Sequence, residues 1–133
     1  MSSPLPNGYA ALTPYLCLRD ATAFIEFARQ ALGAEERAMH RDENGRLMNG
    51  ELLIEGCVIE VSEVKEDCKP TAGAFHLFVD DPDVVYQRAL DAGAESLYPP
   101  TDHEYGERSG GVRDRWGQHW YLAKVTDPEV RNA

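Results

Sequence analysis

Two imidazoles and two carboxylates stand at strand-like positions of the sequence: His76, His119, Glu51 and Glu60. Two histidines with two carboxylates make a donor set that zinc, nickel or iron accepts. The same groups can equally serve as the hydrogen-bonding walls of a pocket. Flat side chains accompany them: Tyr15, Phe78, Tyr105, Trp116 and Tyr121 offer faces on which a planar molecule can stack. Asn49 adds an amide and Arg108 a guanidinium that can pair with a carboxylate of a ligand or of the protein itself. His40 and His103 fall at loop or edge positions and carry little signal.

The elements that must position these residues occur twice. Tyr15–Glu36 and Phe75–Ser96 both read as an alternating strand, an acidic residue, an amphipathic helix and then Gly-Ala-Glu, at Gly33–Glu35 and Gly93–Glu95. Asp20 precedes Gly33 by thirteen residues, as Asp80 precedes Gly93, and Gly56 stands four before Glu60, as Gly117 stands four before Tyr121. A shift of 60 or 61 residues relates the halves. Repetition in this order predicts one domain built from two βαβββ modules, with module one at about 9–64, a linker at 65–72, module two at about 73–125 and a tail at 126–133.

Within each half the local signals agree. Asp20 caps a helix whose Phe24, Phe27, Ala28, Ala31 and Leu32 form an apolar stripe, and Gly33 stops it. Asp81 caps the second helix, Pro82 takes its first position, and Val85, Ala89 and Ala92 make its stripe. Strands follow at Glu35–Arg41, Arg46–Ile54 and Cys57–Glu63, separated by the turns Asp42–Gly45 and Glu55–Gly56. Strand alternation turns Leu16, Leu18, Leu52, Ile54, Ile59, Val61, Leu77, Val79, Trp120 and Leu122 toward the helices. The opposite faces then carry Thr13, Tyr15, Asn49, Glu51, Glu60, Ser62, His76, Phe78, His119 and Tyr121. The expected fold class is α+β, an open half-barrel mixed sheet whose polar, aromatic faces enclose a cleft.

Charge narrows the partners. Thirteen basic against 23 acidic residues give a net charge of −10, so a nucleic-acid partner is not expected, since phosphate binding needs a basic footprint. The same balance favours a cationic ligand over an anionic one. No apolar run approaches the roughly 20 residues of a membrane span, and Met1–Asn7 does not read as a secretory signal, so the expected location is the cytoplasm. Cys17, Cys57 and Cys68 are odd in number and lack Cys-x-x-Cys spacing, which suggests no disulfide framework. Cys17 and Cys57, in apolar runs, are expected to be buried packing residues.

Asp20–Ala34 (DATAFIEFARQALGA), Gly45–Glu51 (GRLMNGE), Phe78–Asp81 (FVDD), Ala89–Ala94 (ALDAGA) and Gly106–Leu122 (GERSGGVRDRWGQHWYL) together resemble the vicinal oxygen chelate superfamily of glyoxalases, extradiol dioxygenases and bleomycin resistance proteins. The last two segments are most similar to its demethylubiquinone-methyltransferase-like branch. Asp102–Arg108 (DHEYGER) matches that branch's loop and suggests that Tyr105 closes over the cleft, while Asn49 stands where the branch commonly has His. The resemblance covers about residues 9–125 and implies paired βαβββ modules and a homodimer, whether the modules pair within a chain or by exchange.

The resemblance also implies four metal-ligand positions, which fall on Thr13, Glu60, Ala74 and Tyr121. Only Glu60 is a competent donor to a divalent ion there. The expectation is therefore a metal-independent protein without cofactor that binds a small molecule, such as a planar aromatic or cationic antibiotic, and sequesters it as bleomycin resistance proteins do. Its ligand would meet Tyr15, Asn49, Glu51, Glu60, His76, Phe78, Tyr105, Arg108, Trp116, His119 and Tyr121. The alternative is a metal-dependent lyase, isomerase or dioxygenase that uses His76, His119, Glu51 and Glu60 as a displaced metal site.

Overall fold

Strand, helix and three further strands follow one another twice along the chain in a computed structural model that describes residues 4–133. The first set is β1 (Tyr15–Leu18), α1 (Ala21–Leu32), β2 (Glu35–Arg41), β3 (Leu47–Ile54) and β4 (Cys57–Glu63). The second is β5 (Ala74–Phe78), α2 (Pro82–Asp91), β6 (Glu95–His103), β7 (Glu107–Arg113) and β8 (His119–Val125), followed by a short α3 (Pro128–Arg131). Each set makes a mixed four-stranded sheet, ordered β1-β4-β3-β2 and β5-β8-β7-β6. In each the first strand pairs parallel with the last, and the other pairs are antiparallel. The fold is α+β, with two βαβββ modules. One compact unit holds the chain up to residue 29 and 33–71, and the other holds 72–133 with 30–32.

In module one, Asp20 sits in the left-handed region (φ 62°) and its side chain accepts from the Ala23 N–H, capping α1. Glu63, at the end of β4, accepts the Asp20 and Ala21 N–H groups at 2.9 Å each, so the sheet also caps the helix. Phe24, Phe27 and Ala28 of α1 are buried, as are Leu16, Leu18, Leu52, Ile54, Ile59 and Val61 of the sheet. In module two, Asp81 accepts from the Val84 N–H and Pro82 opens α2. Val79, Ala89, Trp120 and Leu122 are buried, whereas Leu77 is only half-buried.

Cys17 is buried as expected, but the other two expectations for the cysteines fail. Cys17 of β1 and Cys68 of the linker form a disulfide with Cα atoms 5.8 Å apart, and Cys57 is exposed. Cys57 opens β4 directly after the tight turn at Glu55–Gly56, where the strand has not yet entered the layered part of the module. The tail also holds structure: Asp127 caps α3 by accepting from Glu129 and Val130 N–H groups.

Candidate functional site

Register places four side chains of module one in a row. Tyr15 lies beside Glu60, Glu60 opposite Glu51, and Glu51 opposite Arg37, so the row crosses β1, β4, β3 and β2. Two carboxylates in directly opposed positions repel each other unless a cation intervenes. Arg37 supplies it, donating from Nε to Glu51 Oε1 at 2.7 Å, while the Tyr9 hydroxyl donates to Oε2 at 2.6 Å. These donors hold the Glu51 carboxyl below its usual range. The Glu51 hydrogen bond and the nearby charges of Glu51 and Glu60 push the Tyr9 phenol well above its ordinary value. Glu51 is thus occupied by the protein, and the row's second carboxylate, Glu60, has no such ion pair among the described residues. Pro6, Asn7, Tyr9, Arg37, Ala38 and Glu51 border an open hollow of about 310 Å³. The Tyr15 hydroxyl donates to Ser62 at 3.2 Å, and Asn49 lies opposite His40.

Module two has a different surface on the equivalent face. His76 lies beside Tyr121, Tyr121 opposite Gly111, and Gly111 opposite Tyr98. Glycine at position 111 matters here, because an added Cβ would stand 2.6 Å from the Tyr98 ring. Without it, Tyr98 leans across β7 and stacks on Tyr121, with centroids 6.3 Å apart and planes 24° apart. His76 stacks on Phe78 at 4.8 Å and contacts Tyr121 at 6.4 Å. His103 stacks on Tyr105 at 5.0 Å, with planes only 9° apart. Phe78 is 47% and Tyr105 50% exposed, so the ring group opens to solvent.

Polar groups fix these rings from below. Glu107, 1% exposed at the start of β7, accepts at Oε1 from His76 Nε2 at 3.1 Å. Its Oε2 is bound by the Arg131 guanidinium of α3. His76 and Glu107 meet across β8, where Ala123 shares their face and leaves room. Ser109, also buried, lies 2.9 Å from the Tyr98 hydroxyl and 3.0 Å from His103 Nε2. His119 Nδ1 lies 3.3 Å from the Tyr121 hydroxyl. No buried side-chain polar atom among the described residues lacks a partner.

The structure therefore groups Tyr15, Asn49, Glu51 and Glu60 on the sheet of module one, and His76, Phe78, His119 and Tyr121 on that of module two, with Tyr105 stacked on His103. It sets Arg108 apart from both groups. Arg108 alternates with Glu107 and Ser109, so it faces α2, where it grips Asp83 with two hydrogen bonds of 2.8 Å and Asp102 at 3.2 Å. Trp116 lies in the turn between β7 and β8, outside the sheet, with the Arg115 guanidinium 4.9 Å over its ring. Glu107, Ser109, Tyr98, His103 and Arg131 belong to the ring group although the sequence did not single them out. Counting alternation back from Val112 in β7 would have found the first two.

The four ligand positions of the vicinal oxygen chelate pattern do not fit a divalent ion. The Thr13 hydroxyl donates to the Ala10 carbonyl, Ala74 has no donor atom, and Tyr121 is a phenol beside His119. The displaced set fares no better in chemistry, since Arg37 and Tyr9 occupy Glu51, and no three His, Cys, Asp or Glu side chains gather to hold a metal ion among the described residues.

Comparison with known proteins agrees with this architecture. The family model of the Glyoxalase/Bleomycin resistance protein/Dioxygenase superfamily matches residues 10–122. An uncharacterised protein of Mycobacterium bovis is 34% identical over 129 residues, covering 89% of this chain and 85% of its own. Among solved structures, TioX from Micromonospora sp. ML1 superposes with a TM-score of 0.74 at 20% identity, over 87% of this chain and 98% of that one. The fosfomycin resistance protein FosX from Listeria monocytogenes gives 0.67 at 21% identity, over 92% and 97%. The doubled βαβββ topology and the match along nearly its whole length make this chain a member of the Glyoxalase/Bleomycin resistance protein/Dioxygenase superfamily.

Proposed function

We propose that the protein binds and sequesters a planar aromatic small molecule, without a metal, on the ring face of module two. One observation carries this reading: Phe78, His76, Tyr121, Tyr98 and His103 share one region of a single sheet, with Tyr105 of the adjoining turn stacked on His103, partly open to solvent and braced from below by Glu107 and Ser109. Exposed aromatic clusters of this kind are costly to leave in water and mark binding surfaces. Aromatic stacking gives about 0.5–1.5 kcal/mol per ring beyond area burial. The net charge of −10 favours a cationic ligand. An antibiotic is the proposed class, supported by the bleomycin resistance proteins within the superfamily. The same reading takes the protein as a cytoplasmic homodimer. No helix among the described residues is long and apolar enough to cross a membrane.

Two measurements test it. Metal analysis of the purified protein should find no stoichiometric zinc, nickel, manganese or iron, and finding one would overturn the metal-free reading. Proflavine, a planar cation, should raise the melting temperature and lose fluorescence on binding. Phe78→Ala and Tyr121→Ala should each weaken that binding about tenfold, with the fold intact by circular dichroism. Unchanged binding in both variants would move the ligand away from this face.

A further inference from the structure

We propose that His76 selects the ligand, by accepting a hydrogen bond at Nδ1 from a hydroxyl or N–H at the rim of the stacked ring system. This rests on the ring face being the binding surface. His76 has two ring nitrogens, and the structure commits one of them. Its Nε2 lies 3.1 Å from Glu107 Oε1, and Glu107 is a carboxylate whose other oxygen is bound by Arg131. A carboxylate so paired only accepts, so Nε2 carries the hydrogen and donates. In the neutral imidazole Nδ1 is then a bare acceptor, because each nitrogen's role is set by the bond the other makes.

No described residue uses that acceptor. Among the described residues His76 makes its one hydrogen bond through Nε2, and its remaining contacts are the ring faces of Phe78 and Tyr121. The side chain is 42% exposed, while Glu107, which orients it, is 1% exposed. A buried, doubly held carboxylate aiming a half-open imidazole is the arrangement of a recognition group. Other polar groups on the face are already engaged: the Tyr98 hydroxyl and His103 with Ser109, and the Tyr121 hydroxyl with His119. A ring laid against Phe78 or Tyr121 brings its edge to His76. The ligand class that follows is a planar aromatic bearing a donor, such as a phenol, in preference to one whose rim offers only acceptors.

The test compares 7-hydroxycoumarin with 7-methoxycoumarin, which share a flat ring system and differ in one donor. The wild-type protein should bind the hydroxyl compound about tenfold more tightly. His76→Phe keeps a stacking ring and removes the acceptor, so it should bind the two alike. A preference that survives in His76→Phe, or is missing in the wild type, overturns the assignment of His76 while leaving the ring face standing. Failure of both coumarins to bind the wild type overturns the ring face itself, and this inference with it. A second readout needs no variant. Nitrogen-15 spectra of the imidazole should show His76 protonated at Nε2 only, with the Nδ1 signal moving on addition of 7-hydroxycoumarin and staying in place with 7-methoxycoumarin. A proton found on Nδ1 instead of Nε2 sinks the proposal.

Discussion

At the residue scale, Glu51 and Glu60 show how two carboxylates in one row divide. Glu51 is held ionised by Arg37 and Tyr9, so its folded pKa lies below the unfolded value of about 4.3. Its contribution to stability is therefore present above that value and lost as pH falls through the folded one. Glu51→Gln should lower stability by about 1 kcal/mol at pH 7. Melting curves taken from pH 7 down to strong acid should show the variant and the wild type converging at the acid end. A gap that stays constant with pH would mean that the charge of Glu51 does not matter. Tyr9 works in the opposite sense: its raised phenol pKa contributes stability that disappears only as the solution becomes strongly alkaline. Repeat equivalence adds a comparison. Tyr15 beside Glu60 in module one corresponds to His76 beside Tyr121 in module two, so the same two register positions hold a phenol and a carboxylate in one sheet and two tilted rings in the other.

At the element scale, the turn at Gly106 links β6, β7 and the tail. Gly106 has φ 86°, and its carbonyl accepts from the N–H groups of Thr126 and Asp127. An added Cβ would stand 2.6 Å from the Asp127 carbonyl oxygen and 3.0 Å from the Arg131 N–H nitrogen. Gly106→Ala therefore combines left-handed backbone strain of about 1 kcal/mol with a clash against α3. It should free residues 126–132, seen as faster amide exchange there, and release Arg131 from Glu107. Unchanged exchange in that segment would show that α3 docks without the turn. These elements also show what the sequence could reveal. Glu35–Arg41 and Cys57–Glu63 are strands as expected, and β3 starts one residue later than expected, because Asp42–Gly45 and Glu55–Gly56 punctuate a regular alternation. The helix caps Asp20 and Asp81 were legible for the same reason: their chemistry is local. Part of the ring group was not: Tyr98, His103 and the polar groups Glu107, Ser109 and Arg131. Register shifts between Ser96, Tyr98 and Thr101 break the period of β6, and Gly110–Gly111 blanks the apolar signal of β7. Arg131 lies on a helix of four residues, too short for any periodicity to show. Tyr98, His103 and Glu107 come together through pairing across strands and Arg131 through the docking of α3, which a linear pattern does not encode.

At the scale of the whole molecule, the Cys17–Cys68 disulfide joins residues 51 apart in sequence and so closes a loop containing α1 and β2 to β4. Constraining an unfolded loop of that length contributes about 4 kcal/mol in the chain-entropy account. Urea unfolding with and without a phosphine reductant should show a drop in stability approaching that size, and Cys17→Ser should reproduce it. Equal midpoints would mean that the bridge constrains nothing. It was not legible because Cys68 lies in an irregular linker and only the folded chain brings it to β1. One consequence lies in bench chemistry. With Cys17 and Cys68 bonded to each other, Cys57 is the exposed thiol left for a maleimide to reach. Mass spectrometry of the labelled, unfolded protein then becomes a gauge of its history. A chain from an oxidising source carries a single tag, a reduced one carries three, and a mixture reports in proportion how much of each the sample contains.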